Sequence, residues 1–241
     1  MDLNISGKGT ISAGDYDEIV LKGKMKSMGE IRCKNFKCDG KFSGDSDIDC
    51  KKELKLSGDF KNEGSIKADR FVASGKVENE KTISADSMKL SGLFTAQSDV
   101  KASKLRASGK MDVKGNLRAD KARITGMIIN DGGIDVDDLH IDIATGMCSE
   151  VKNIKGKEIQ IERKLCNPII TLFKKIVKSK AGVITVAEAI EGEDIKLEYT
   201  IAKRVTGRRI NIGKGCQIEL VQYSDSVEVS PKATVRTKEQ I

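Results

Sequence analysis

One histidine and six cysteines are all that the chain offers to soft-metal or nucleophilic chemistry, and their spacing serves neither. Cys33, Cys38, Cys50, Cys148, Cys166 and Cys216 contain no CxxC pair, and His140 alone gives them little with which to complete a zinc site. His140 lies in an alternating stretch, Leu139-His140-Ile141-Asp142-Ile143, where a structural role is the expectation. With one histidine, no Ser-His-Asp or Cys-His arrangement can be assembled. Asp131, Asp135, Asp137 and Asp138 group carboxylates, but at neither EF-hand nor RTX spacing. Gly7-Lys8-Gly9 and Gly213-Lys214-Gly215 lack the frame of a phosphate-binding loop and read as turns. No catalytic residue, cofactor or metal is expected, and the chain is not expected to be an enzyme.

Composition narrows the partners further. Hydrophobic residues make up 38% of the chain, but there is no Trp and aromatics reach only 4%, so surfaces that line pockets or stack bases are scarce. The formal net charge of +7 tilts the chain toward anionic partners; both signs are interspersed, and nucleic acid is not the expected one. No stretch is apolar for long enough to predict a transmembrane helix, and Met1-Asp2-Leu3-Asn4-Ile5 lacks the regions of a signal peptide. These features predict a cytoplasmic protein with free, mostly buried thiols.

The elements that position these residues come from an internal repeat. Ser57-Gly58, Ser74-Gly75, Ser91-Gly92, Ser108-Gly109 and Thr125-Gly126 recur every 17 residues, and Asp39-Gly40, Lys22-Gly23 and Ser6-Gly7 extend the series backwards at 18, 17 and 16. The second residue after each Gly is apolar: Met25, Phe42, Phe60, Val77, Phe94, Met111. The eighth is aliphatic, from Ile31 and Ile48 to Val100 and Leu117, and the tenth is small, from Cys33 and Cys50 to Ala102 and Ala119. Phe36, Leu54, Phe71, Met88, Leu105 and Ala122 follow, each with an apolar partner two residues later, and the coil from Lys41 to Gly58 needs one inserted residue. Apolar residues at i and i+2 mark short strands, three to a coil, and no helical stripe survives from one repeat to the next. The prediction is an all-β, single-stranded parallel β-helix (solenoid) of triangular coils about 17 residues long, with each Gly at a corner. One coil buries too little to stand alone, so stacking must stabilise it, with like residues forming ladders about 4.8 Å apart.

Regular coils are predicted over residues 1–130, and less regular β coils over 131–181 with a protruding loop near 167–178. Coils return over 182–229, and a polar, loose tail is expected over 230–241.

Gly-cornered coils without an active-site motif resemble the bactofilins, polymer-forming bacterial cytoskeletal proteins. The wording is closest in Ala189-Ile190-Glu191-Gly192-Glu193-Asp194-Ile195, in Ala202-Lys203-Arg204-Val205-Thr206-Gly207, and in Ile212-Gly213-Lys214-Gly215-Cys216-Gln217-Ile218-Glu219-Leu220-Val221, which look like the longer two-part members from Gram-positive bacteria. The resemblance implies a right-handed coil, no nucleotide, end-to-end assembly into non-polar filaments, and a scaffolding role in envelope, cell-shape or motility functions. With the first repeat glycine already at Gly7, the N-terminal tail that attaches many members to membranes is not expected here.

Two other function classes compete. Ile212-Gly213-Lys214-Gly215 also resembles the repeat of hexapeptide acyltransferases, but those coils want a small residue where Arg70, Lys104 and Lys121 stand. A non-polymerising β-helical binding module would share the fold. For self-association, Leu3 and Ile5 at one end and Val227 and Val229 at the other are the candidate faces, since a solenoid's end coils carry unpaired backbone groups. Lys37, Lys55, Lys89, Arg106 and Arg123 are predicted to form an outward basic ladder, interrupted by Val72, for an anionic membrane surface. Asp69, Asp86 and Asp120 stand near enough to neutralise part of it. Ile169, Leu172, Phe173, Lys174 and Lys175 combine apolar bulk with charge and are the candidate membrane or partner loop.

Overall fold

A computed structural model of the chain describes residues 1–164 and 182–241, and every helix or strand among them is a strand. The first strands are β1 (Leu3–Gly44), β2 (Ile48–Asn62), β3 (Ile66–Asn79), β4 (Ile83–Ala96), β5 (Val100–Val113), β6 (Asn116–Asn130) and β7 (Gly133–Ala144). After them come β8 (Cys148–Val151), β9 (Ile154–Lys155), β10 (Glu158–Lys164), β11 (Val183–Leu197), β12 (Thr200–Ile212), β13 (Gln217–Val229) and β14 (Thr234–Gln240). The chain is a parallel β-solenoid, as the repeat predicts, and it divides into two units, Met1–Ala119 and Asp120–Ile241.

In the first unit the 17-residue period becomes a ladder. Ile66 pairs with Ile83 and Ile83 with Val100, and the same step joins Phe71, Met88 and Leu105. Each strand from β2 to β5 is one whole coil, because the apolar residues at alternate positions keep one face inward through the corners. Phe36, Phe42, Leu54, Phe71 and Ile83 are fully buried, and the Phe42 and Phe60 rings stack at 4.8 Å. The inserted residue expected between Lys41 and Gly58 falls at Lys51-Lys52, where the register slips between Cys50 and Glu53. Gly75 turns its corner at φ +109, and a Cβ there would run into the Gly58 backbone, so the corner needs both a left-handed conformation and the absence of Cβ.

A further inward column escapes the sequence reading. Gly44, Asn62, Asn79, Ala96 and Val113 stack in register. Asn62 and Asn79 are as buried as the aliphatics. Asn62 Nδ2 donates to Gly64 O (2.9 Å) and to Asn79 Oδ1 (3.2 Å), and Asn79 Nδ2 donates to Lys81 O (2.6 Å). These bonds tie the interior to the turns that follow Asn62 and Asn79, which is how a polar group is tolerated inside.

The second unit keeps the ladder but changes the coil. β8, β9 and β10 together make one coil, and β11 stacks on all three through Val183–Cys148, Ile190–Ile154 and Ile195–Ile159. β12 and β13 follow in parallel. Where a loose tail is expected from Ser230, residues 234–240 instead form β14, paired to β13 from Gln217–Thr234 to Tyr223–Gln240. Polarity was the misleading signal: β14 lies on the outside of the ladder, where only Val235 turns partly inward. The expected loop near 167–178, with Ile169, Leu172, Phe173, Lys174 and Lys175, lies outside the described residues.

Candidate functional site

Where the ladder stops, the inward positions lose their cover. The Asp17 amide donates to Met1 O and Gly23 rests on Gly7 O, so Leu3 and Ile5 take the inward positions beneath Ile19 and Leu21. Ile19 and Leu21 are fully buried, whereas Leu3 and Ile5 are only half-buried. In the second unit Val227 and Val229 pair with the buried Ile210 and Ile212 on one side. On the other side β14 covers β13 only as far as Tyr223, and among the described residues nothing stacks on Ser226–Val229. Val227, Val229 and Val235 are half-buried there. Each end thus combines exposed aliphatic surface with unpaired backbone donors and acceptors.

The basic row is real in the first unit. Lys37, Lys55, Val72, Lys89 and Arg106 are register partners on successive coils, and all four cations are exposed. Lys37 approaches Asp39 at 3.7 Å, but among the described residues Lys55, Lys89 and Arg106 form no ion pair, and neither Asp69 nor Asp86 reaches the row. Ser57, Ser74, Ser91 and Ser108 form a second row two residues on. Arg123 does not share this environment. It lies in the second unit and its guanidinium is 3.0 Å from Asp142 Oδ2.

Asp142 is the least expected charge in the protein, a carboxylate only 1% exposed. Besides Arg123, Thr125 Oγ1 stands 3.4 Å from Oδ2, and His140 Nε2 lies 3.0 Å from Oδ1. Glu162 sits one rung further along, as the register partner of Asp142. Its Oε1 accepts from Gln160 and from Lys196 Nζ (3.1 Å), and these bonds hold the carboxyl below the usual carboxylate range. Beside this cluster an open groove of about 360 Å³ is lined by Glu158, Gln160, Asp194, Lys196, Arg209 and Asn211. Within it Arg209 clasps Asp194 with two bonds, and Asn211 donates to Glu228 at 2.8 Å. The sequence shows each alternating strand here. It hides their pairing, because the step from Asp142 to Glu162 is longer than the 17-residue period.

Cys33, Cys38, Cys50 and Cys216 are buried and Cys148 is exposed, while Cys166 lies outside the described residues. Burial pushes the Cys38 and Cys216 thiols up to about 11. Cys33, donating to its register partner Cys50 and buried with it, is held far above the ordinary thiol range. In a Cys166→Ser variant, a thiol reagent at pH 8 should therefore modify Cys148 rapidly and the other four only after denaturant is added. For Cys38 and Cys216, at a pKa near 11, only about one molecule in a thousand is thiolate at that pH; Cys50, whose thiol the hydrogen bond from Cys33 lowers, is protected by its burial. Fast native reaction of more than one thiol, followed by mass spectrometry, would contradict this burial pattern.

No helix among the described residues is long and apolar enough to cross a membrane. No family model matches the chain, and no solved structure matches it. The chain is similar to two Bacillus subtilis (strain 168) proteins, both described as uncharacterized. YhbE is 43% identical over 58 residues, covering 24% of this chain and 24% of that protein. YhbF is 30% identical over 93 residues, covering 39% of this chain and 35% of that protein. The similarity thus spans about a quarter of the first relative's length and about a third of the second's.

Proposed function

We propose that the chain is a self-assembling, nucleotide-independent cytoskeletal scaffold of the bactofilin kind, which adds copies end to end in the cytoplasm and supports envelope, cell-shape or motility functions. The observation that carries this reading is the loss of burial at matching inward positions, from Ile19 and Leu21 to Leu3 and Ile5, and from Ile210 and Ile212 to Val227 and Val229. A second copy stacked on such an end would continue both the apolar interior and the hydrogen-bond ladder. Covering four half-buried aliphatics contributes about 1 kcal/mol each. Each new ladder bond adds about 0.5–1.5 kcal/mol. Association costs about 4–15 kcal/mol, so assembly needs both contributions together. The exposed row of Lys55, Lys89 and Arg106 supports contact of the assembled scaffold with an anionic membrane surface, because cations one or two rungs apart act on such a surface jointly.

Purified protein at micromolar concentration, with no nucleotide added, is expected to scatter light and to form filaments in negative stain. Leu3→Asp and Val229→Asp each place a carboxylate where an apolar side chain of the next copy would rest. Either should raise the concentration needed for assembly at least about 100-fold, equivalent to about 2.7 kcal/mol. Monodisperse wild-type monomers across that range would leave a non-polymerising β-helical module as the better description.

A further inference from the structure

Asp142 and Glu162 are direct register partners, so two carboxylates project from neighbouring rungs on one face, and one of them is almost completely buried. Like charges opposite each other destabilise a ladder unless a cation joins them. Arg123 meets Asp142 and Lys196 meets Glu162. The position between them is faced by His140, two residues from Asp142 on the same strand. A ring nitrogen of His140 and one oxygen from each carboxylate all lie within 4.8 Å of one another.

We propose that His140, Asp142 and Glu162 form a divalent transition-metal site of the zinc-binding type, linking the β7 and β10 rungs. One imidazole and two carboxylates with remaining positions open to water suit zinc and its neighbours better than calcium or magnesium, which favour all-oxygen shells. Asp142 Oδ2 is engaged by Arg123 and lies near Thr125, while Oδ1 faces the histidine. Glu162 Oε1 is held by Gln160 and Lys196, and among the described residues Oε2 accepts no bond. The two cations and the amide then serve as outer-layer groups that fix the carboxylates' orientation, as hydrogen-bonded neighbours do around metal ligands. Ligand atoms around tetrahedral zinc stand about 3.4 Å apart, so side-chain rotations of about 1 Å complete the shell and replace the His140–Asp142 contact with bonds to the ion. The site does not depend on self-assembly, and the ion would stabilise the folded chain by binding it in preference to the unfolded one.

The test is calorimetric titration of Zn²⁺ into the metal-free full chain carrying Cys148→Ser and Cys166→Ser, with melting followed in parallel. The expected result is one ion per chain and a raised melting temperature. His140→Ala should weaken binding at least about 100-fold and Glu162→Gln at least about tenfold, with each variant's gain in melting temperature on adding Zn²⁺ read against its own metal-free value. His140→Gln supplies the same reading if the alanine variant does not fold. Co²⁺ loaded in place of Zn²⁺ should show visible absorption without a thiolate charge-transfer band. The absence of saturable binding, binding that survives the loss of His140, or a thiolate band in the cobalt spectrum would each overturn the assignment.

Discussion

Gly75→Ala should remove more than about 4 kcal/mol of stability, whereas the same change at Gly7 should cost only about 1–2 kcal/mol. Both glycines occupy the left-handed region, at φ +109 and +96, so both variants carry the cost of placing a Cβ there. Their surroundings differ. A Cβ on Gly75 would stand 2.3 Å from Gly58 O, while one on Gly7 meets nothing within 4 Å. The Gly58 carbonyl cannot swing aside, because β2 and β3 are paired residue by residue through that corner. Relief would require opening the ladder on one or both sides, at about 1 kcal/mol per backbone bond and more for the apolar contacts beneath. A loss of that size is a large share of the margin by which a domain is stable. Urea midpoints of the two variants decide the matter: equal shifts would mean that the glycines serve backbone conformation alone and not the close stacking of corners.

That stacking explains why so much of the first unit could be read from the sequence. A glycine that recurs at a fixed step, with an apolar residue two places on, reports a corner that each coil imposes on the next. The inward residues from Phe36 to Leu105 followed directly. The Asn62–Asn79 column did not, because the same column runs from Gly44 through the two asparagines to Ala96 and Val113, so neither size nor polarity is kept along it. In the second unit the period fails for a physical reason. One coil is cut into β8, β9 and β10, and the chain runs through residues 165–181 before β11 stacks upon it.

The surfaces were legible to different depths. Lys55, Lys89 and Arg106 share a row because they share a repeat position, and period alone finds them. Arg123 occupies the same repeat position, yet it neutralises a buried carboxylate, a fact set by residue 142 on the next coil. In the sequence His140 stands alone, and the fold gives it a partner by burying Asp142 two residues on. Period identifies which residues share a face. It does not reveal which members of that face are covered.

Asn79→Asp is expected to cost about 3–5 kcal/mol at neutral pH and much less near pH 4. The exchange keeps the side chain's shape and its acceptor for Asn62 Nδ2, but it turns the donor that meets Lys81 O at 2.6 Å into a second acceptor. It also places a charge where the side chain is only 1% exposed. Protonation relieves both faults. Burial would raise the introduced carboxyl's folded-state pKa above its unfolded value of about 3.9, so the penalty is full above the folded value and fades as pH falls toward the unfolded one. Asn79→Ala separates this from simple loss of the bond: it should cost about 1–3 kcal/mol, since Lys81 O loses its donor, with no comparable recovery in acid. Urea midpoints of wild type and both variants at pH 7 and pH 4 give the comparison. If Asn79→Asp were no worse than Asn79→Ala at pH 7, the column would have to admit water, and the interior of the first unit would not be the closed stack that its burial describes.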